Sequence, residues 1–343
     1  MRFRGWPKVR IKNDCGEIVD AIAPLIISAS RSTDIPALYA EWFFKRLHKG
    51  YMRWVNPFNQ RTQYVSFENV RLIVFWSKNP APIIPFLDIL YKKRINYLFQ
   101  YTLNDYESEA LEPNLPSLQA RIKTFIELSQ RSGIERLLWR FDPLILTDTI
   151  SPETLVKRVE TIGEQVAGHV SRLTISFMTH YAKVMRNMAA CGFLPRQFDS
   201  EAIAVVAAGL QNLSRRWGIP VFSCAEPQSL DAYGIKHGAC IDPYYIADIF
   251  RDDPVLRGFC SCGEEASQLD LLAQDPRDTA MHPYRDPGQR EHCRCIVSKD
   301  IGTYDTCTHF CAYCYANSSR NNVILNRKRI TGSGDLLVDK PCL

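Results

Sequence analysis

The chain has 343 residues and a formal net charge of +5, and 46% of its residues are hydrophobic. This length accommodates one large domain or two ordinary ones, and the hydrophobic content excludes an intrinsically disordered chain. No apolar run is long enough to span a bilayer, and the N-terminal segment lacks the apolar stretch of a secretory signal. We therefore expect a cytoplasmic protein without membrane contact. The weak positive charge permits a nucleic-acid partner but does not predict one.

Short apolar runs alternate with amphipathic stretches over the first two-thirds of the chain. The apolar runs are rich in Ile, Val, Leu and aromatic residues, which is typical of strands buried on both faces. The predicted strands are Pro24–Arg31, Arg71–Lys78, Ile95–Leu103, Arg136–Asp142, Arg172–Met178 and Ile219–Cys224.

The amphipathic stretches between these strands predict helices. Ser151 and Pro152 are typical of a helix start, and Gly133 is typical of a helix end. The predicted helices are Ala37–Lys49, Pro80–Lys93, Leu118–Gly133, Ser151–Gly168 and Ser200–Gly218.

Alternating strands and helices predict an α/β fold with a parallel sheet and right-handed crossovers. The spacing favours a TIM-like (β/α) barrel, full or partial, over residues 1–257, and a doubly wound open sheet is the alternative. From about residue 258 the alternation stops, and glycine, proline, charged residues and cysteine increase. We expect residues 258–343 to form a cysteine-rich segment packed on the mouth of the barrel.

Charged side chains lie at or just beyond the ends of several predicted strands. In (β/α) barrels the catalytic residues occupy these carboxyl ends. For any one residue, the plainer explanation is that loops are polar, but the recurrence at successive strands predicts a charged pocket. The candidate catalytic residues are Arg31, Asp34, Lys78, Arg140, Asp142 and Glu226.

The chain has twelve cysteines, of which only Cys15 lies in the first half. Without an export signal, clustered cysteines indicate metal ligation or redox chemistry. Cys307, Cys311 and Cys314 follow the spacing Cys-x3-Cys-x2-Cys. Three thiolates at this spacing predict a [4Fe–4S] cluster with one iron left open.

Other cysteines predict a second site, for which four residues are candidates: Cys224, Cys240, Cys293 and Cys295. Together they would hold a second iron–sulfur cluster, although buried packing explains Cys224 and Cys240 equally well. Cys260 and Cys262 are a further candidate pair. Structural zinc held by cysteines and His309 is an alternative for the C-terminal segment.

The segment CTHFCAYC, which ends at Cys314, resembles the cluster motif of radical S-adenosylmethionine (SAM) enzymes. That motif is Cys-x3-Cys-aromatic-Cys, and Tyr313 occupies the aromatic position. The resemblance implies that the open iron binds SAM, with Tyr313 near the adenine. Reduction by one electron would then cleave SAM to methionine and a 5′-deoxyadenosyl radical. It also implies a reductant such as flavodoxin or ferredoxin, and a small-molecule or unknown substrate.

The whole chain also resembles an uncharacterised bacterial domain-of-unknown-function family with a radical-SAM-like C-terminus. The match rests on the segments ISASRSTDIP, NPFN, FWSKNP, WRFDP, CAE, GACID and DIGTYDTCTHFCAYCYAN. In radical SAM enzymes the motif follows the first strand of the barrel, whereas here it comes last. Either the barrel is circularly permuted, with Ile296–Ile301 as the motif-bearing strand, or the cluster lies on an appended module.

Two other functions remain open at this point. One is an iron–sulfur redox or sensor protein without SAM chemistry, and the other is a barrel protein with structural zinc. The basic run Arg327–Arg329 permits a nucleic-acid contact, although a solvated surface is the more frequent reason for such a run.

Overall fold

The protein is described by a computed structural model that covers residues 3–261 and 282–338. The strands are β1 Lys8–Lys12, β2 Ile18–Ile22, β3 Ile26–Ala29, β4 Tyr51–Val55, β5 Thr62–Ser66, β6 Leu72–Ser77, β7 Asn96–Thr102, β8 Leu137–Leu144, β9 Leu173–Phe177, β10 Val221–Cys224, β11 Lys236–Gly238 and β12 Lys299–Asp300. The α-helices are α1 Ile35–Leu38, α2 Ala40–Lys49, α3 Leu87–Lys92, α4 Leu118–Ser132, α5 Pro152–Val166, α6 Ala182–Ala190, α7 Ser200–Trp217, α8 Pro243–Ile249, α9 Pro254–Cys260 and α10 Arg320–Lys328.

The main sheet has eight strands in the order β11-β10-β9-β8-β7-β6-β3-β12. Every neighbouring pair is parallel. Each of the six predicted strands overlaps one strand of this sheet, and β3, β7 and β9 are almost entirely buried. The mixed α/β fold with a large parallel sheet is therefore confirmed.

The closed barrel that the spacing favoured is not confirmed. In the described part of the chain no strand pairing joins the edge strands β11 and β12, so the sheet is open. The edge strands have only three and two residues, too few to form an extended ladder. A hydrogen bond from Ile296 N to Ile241 O (3.0 Å) connects the segment before β12 to the segment after β11.

The C-terminal segment contributes a strand to the main sheet. β12 lies inside the predicted strand Ile296–Ile301 and pairs in parallel with β3 through Lys299 and Asp300. The last strand in the sequence thus lies beside the first strand of this sheet. Residues 262–281 and 339–343, which include Cys262, lie outside the described residues.

The predicted start of one helix and the predicted end of another are confirmed. Ser151 Oγ accepts a hydrogen bond from Thr154 N at the start of α5, and Gly133 follows α4 with a φ of +89°. The predicted helix Pro80–Lys93 instead begins as a 3-10 helix, Ala81–Phe86, before α3. Its internal prolines lack the amide hydrogens that an α-helix needs.

A second, four-stranded sheet has the order β1-β2-β5-β4. Its strands are half-exposed, so they lack the continuous apolar runs by which the other strands were predicted. Trp54 in β4 donates to Gly302 O (3.0 Å), just beyond β12. This contact holds the small sheet against the beginning of the cysteine-rich loop. None of the helices in the described residues has the length and apolar composition to cross a membrane.

The contact between α5 and α7 depends on a glycine in α7. A Cβ atom at Gly209 would lie 2.5 Å from Val156 Cγ2, and the Val156 Cβ would be 3.2 Å away. We expect Gly209→Ala to lower the free energy of unfolding by about 1–3 kcal/mol, because overpacking outweighs the better helix propensity of alanine. Urea denaturation measures the change. Gly168→Ala is the control, since nothing lies within 4 Å of its Cβ position, and equal effects of the two substitutions would contradict the packing argument.

Candidate functional site

A cavity of about 370 Å³ lies at the carboxyl ends of the parallel strands. Residues at or beyond the ends of β3, β6, β7, β8, β9, β10 and β11 line it, together with the segments on either side of β12. The wall contains five of the six predicted charged residues, both sets of predicted cysteines and Tyr313. These residues are Arg31, Asp34, Lys78, Arg140, Asp142, Cys307, Cys311, Cys314, Cys224, Cys240, Cys293, Cys295 and Tyr313.

A larger groove of about 880 Å³ lies near the opposite ends of the strands, where Leu25, Arg71 and Ile95 precede β3, β6 and β7. It contains basic side chains but no cysteine. The cavity at the carboxyl ends combines thiols, paired acids and bases, and aromatic rings. We therefore treat that cavity as the candidate site.

Cys307, Cys311 and Cys314 lie on the loop that follows β12, and all three are partly exposed. Cys314 N donates to Cys311 O (3.0 Å), and Asn317 Nδ2 donates to Cys307 O (2.8 Å). Ala316 N donates to the Cys314 sulfur (3.3 Å). As free thiols, Cys307, Cys311 and Cys314 have raised pKa values because of burial, with that of Cys307 about 12.

Asp34 holds this loop against the sheet. One carboxylate oxygen accepts from Ala37 N (3.0 Å) and Ser77 Oγ (2.7 Å), and the other accepts from Lys78 N (2.8 Å) and His309 Nε2 (2.9 Å). Burial alone would raise the pKa of Asp34, but the hydrogen bond from His309 holds it below its ordinary value. The carboxylate is fully engaged, so the structure gives Asp34 an anchoring contact within the wall of the cavity.

Lys78 belongs to a buried network around Tyr313. Its ammonium group donates to Glu112 Oε1 (2.7 Å) and to the Tyr313 hydroxyl (2.9 Å). The Tyr313 hydroxyl in turn donates to Glu112, and Asn104 Nδ2 donates to the same hydroxyl (3.0 Å). These contacts fix the tyrosine that directly precedes Cys314.

Glu112 is a site residue that the sequence reasoning missed. Burial would raise its pKa, but the charges of Lys78 and Arg121 hold the pKa of this carboxyl below its ordinary value. Arg121 Nη1 lies 3.6 Å from Glu112 Oε2, and both side chains are almost fully buried. One carboxylate therefore compensates the buried Arg121 and the partly buried Lys78.

The four cysteines of the second predicted site lie together. Cys224 is the last residue of β10, Cys240 follows the neighbouring strand β11, and their sulfurs are 3.0 Å apart. The Cys240 thiol is hydrogen-bonded to that of Cys295, and the Cys295 thiol is hydrogen-bonded to that of Cys293. All four side chains are buried.

Two arginines lie beside these four cysteines. Arg140 Nη1 is 2.8 Å from the Cys240 sulfur, and Arg140 Nη2 donates to Asp142. The guanidinium groups of Arg31 and Arg140 both lie over the ring of Trp76, at 4.8 and 5.4 Å from its centroid. Arg31 Nη2 is buried and has no hydrogen-bond partner within residues 3–261 and 282–338.

Asp142 and Glu226 have opposite electrostatic environments. Burial would raise the pKa of Asp142, but Arg140 and Ser176 hold it below its ordinary value. Glu226 is not part of the cavity wall. Its Oε1 accepts from Phe177 N (2.9 Å), and burial raises its pKa from 4.5 to about 7.

In the described ranges, 3–261 and 282–338, no group of three or more His, Cys, Asp or Glu side chains is arranged to hold a metal ion. A single ion requires donors that converge on one point. The thiolates of an iron–sulfur cluster each bind a different iron, so this finding does not test a cluster.

A family model described as a domain of unknown function, DUF1848, matches residues 26–316. The chain belongs to the DUF1848 family. The match begins at the first residue of β3 and ends at Ala316, two residues beyond Cys314. It therefore contains every residue of the cavity wall. No curated protein and no solved structure matches the chain.

The buried network of this DUF1848 domain depends on Glu112. We expect Glu112→Gln to lower the free energy of unfolding by about 3–5 kcal/mol, because Lys78 and Arg121 lose their shared counter-charge. Urea denaturation at pH 7 measures this loss. Glu41→Gln is the control, because Glu41 forms an exposed ion pair with Lys45. Similar losses in the two variants would contradict the assignment.

Glu226 predicts a pH dependence of stability. Above pH 4.5 an unfolded chain ionises this carboxyl, whereas the folded domain keeps its proton until the pH reaches about 7. Stability is therefore lost as the pH rises between these values. We expect Glu226→Gln to be more stable than wild type by about 1–3 kcal/mol at pH 8 and by much less at pH 5. Urea denaturation at both pH values tests this, and a pH-independent difference would contradict it.

Proposed function

We propose that this protein is an iron–sulfur enzyme of the radical SAM type, with a [4Fe–4S] cluster held by Cys307, Cys311 and Cys314. The observation that carries the proposal is the position of these three cysteines. They lie on one short loop and share a cavity wall with the polar residues at the carboxyl ends of the parallel strands. In (β/α) enzymes this edge of the sheet is where chemistry takes place.

The donor set fits the proposed group. Three partly exposed thiols face a cavity, and soft thiolates are the ligands that iron–sulfur clusters use. Three protein ligands leave one iron of a four-iron cluster without a protein donor. When bound, the cluster would supply single electrons and an open iron for the amino and carboxylate groups of SAM.

The position of β12 supports a permuted arrangement of the barrel strands. β12 immediately precedes the cysteine loop and pairs in parallel with β3 at one edge of the sheet. In spatial order the sheet begins with β12 and then follows the chain from β3 to β11. The motif thus follows the first strand in space, although that strand is last in the sequence.

Residues of the chain would keep the site rigid and dry. Tyr313 is buried, and its pKa is well above the ordinary value because of burial, so its hydroxyl keeps its proton. Lys78, Glu112 and Asn104 hold that hydroxyl in place. Asp142 is held ionised beside Arg140 and supplies a fixed negative charge within the cavity. The other charged residues that we predicted as catalytic remain candidates for orienting the substrate.

Electron paramagnetic resonance (EPR) of the anaerobically reconstituted and reduced full chain tests the proposal. We expect a [4Fe–4S]⁺ signal that changes when SAM is added, because SAM would bind the open iron. Cys311→Ala should abolish the SAM-dependent change. Cys191→Ala is the matched control, because Cys191 is exposed and lies outside the cavity wall.

The outcomes separate the competing functions. An iron–sulfur signal that SAM does not change would favour a redox or sensor protein. Stoichiometric zinc without iron would favour a structural metal site. Either result would contradict the radical SAM proposal. Equal losses of the SAM response in Cys311→Ala and Cys191→Ala would show that the response does not come from the proposed loop.

A further inference from the structure

The four buried cysteines on the other part of the cavity wall carry an inference that does not depend on SAM chemistry. Cys224 ends β10 and Cys240 follows the adjacent parallel strand β11, whereas Cys293 and Cys295 precede β12. Three contacts connect their thiols in one continuous group. Ile296 N donates to Ile241 O (3.0 Å), which holds the two pairs together.

Backbone amides are directed at two of these sulfurs. Ile241 N donates to the Cys295 sulfur (3.4 Å), and Cys295 N donates to the Cys293 sulfur (3.5 Å). Amide hydrogen bonds to sulfur stabilise thiolates and tune the potentials of iron–sulfur clusters. Cysteines that only fill a hydrophobic core have no need of such donors.

Charge gives a second and independent argument. Arg140 Nη1 lies 2.8 Å from the Cys240 sulfur, and Arg31 Nη2 is buried and forms no hydrogen bond with any described residue. Asp142 compensates Arg140. Asp300 and Asp286 lie close enough to Arg31 to act on its charge, but Arg31 Nη2 donates to neither carboxylate in the described residues. A buried cation requires a nearby negative charge. Asp300 and Asp286 supply part of that charge for Arg31. A thiolate-bound cluster would add negative charge beside both guanidinium groups, whereas four neutral thiols would not.

We propose that Cys224, Cys240, Cys293 and Cys295 bind a second iron–sulfur cluster, with Arg31 and Arg140 neutralising part of its negative charge. The class of ligand is a four-iron cluster with thiolate at every iron. Such a cluster has no open iron for SAM, so it would serve electron transfer at the same cavity. The site differs from the C-terminal loop in burial and in the number of thiols.

Iron and sulfide analysis of the anaerobically prepared full chain tests the second cluster. Wild type should contain about eight irons and eight sulfides per chain, since each four-iron cluster carries about four of each. The triple variant Cys307→Ala/Cys311→Ala/Cys314→Ala should retain half of the iron and an EPR signal that SAM does not change. This variant leaves the proposed second site intact, so the test does not depend on whether changes in the buried cysteines impair folding.

The reciprocal variant Cys240→Ala/Cys295→Ala should also retain half of the iron. Arg31→Gln should shift the reduction potential of the remaining cluster in the triple variant to a more negative value, because a nearby positive charge is lost. Arg327→Gln on α10 is the control. An unchanged potential in Arg31→Gln would overturn the charge assignment.

Three results would overturn the second cluster. The first is that the triple variant contains no iron, and the second is that it holds zinc in place of iron. The third is that mass spectrometry detects a Cys224–Cys240 disulfide in the anaerobic protein. A different result would contradict the radical SAM proposal but leave the second cluster intact. In that case SAM would leave the wild-type EPR signal unchanged, while the triple variant would still contain four-iron clusters.

Discussion

The arrangement of the cavity depends on the carboxylate of Asp34. This side chain is buried and accepts four hydrogen bonds from three separate parts of the chain: the start of α1, the end of β6 and the cysteine loop. Of these contacts, the one with His309 joins the residues that are farthest apart in the sequence. Because His309 lies between Cys307 and Cys311, the position of the thiols follows from the position of the carboxylate. The buried Lys78–Glu112 pair then fixes Tyr313 on the same loop.

The parallel sheet was predictable because its strands are buried on both faces. The run of β6 contains almost only apolar residues, and β7 is buried along most of its length. Short apolar runs of this kind are typical of strands in a parallel sheet. Barrel closure was not predictable in this way. It depends on pairing between β11 and β12, which have three and two residues and no apolar run. The four-stranded sheet was missed for the related reason that its strands are half-exposed.

Grouping of the predicted site residues could be anticipated from topology alone, since the carboxyl ends of parallel strands meet at one edge. This explains why Arg31, Lys78, Arg140 and Asp142 share one wall with the cysteines. Glu112 could not be anticipated, because it lies in a loop beyond β7 and its partners come from the residue after β6, from α4 and from the C-terminal loop. Glu226 follows β10 as predicted, but its side chain contacts the β9 backbone and not the cavity. Side-chain direction at a strand end is set by neighbouring strands, which a single sequence does not reveal.

The most direct test of the account is anomalous diffraction at the iron absorption edge from crystals of anaerobically prepared protein. The account predicts two strong iron peaks at one cavity. One should lie beside Cys307, Cys311 and Cys314, and the other among Cys224, Cys240, Cys293 and Cys295. The account would be contradicted if protein prepared with iron and sulfide showed no iron peak at either position. Anomalous peaks at the zinc absorption edge at these positions, without iron, would contradict it as well.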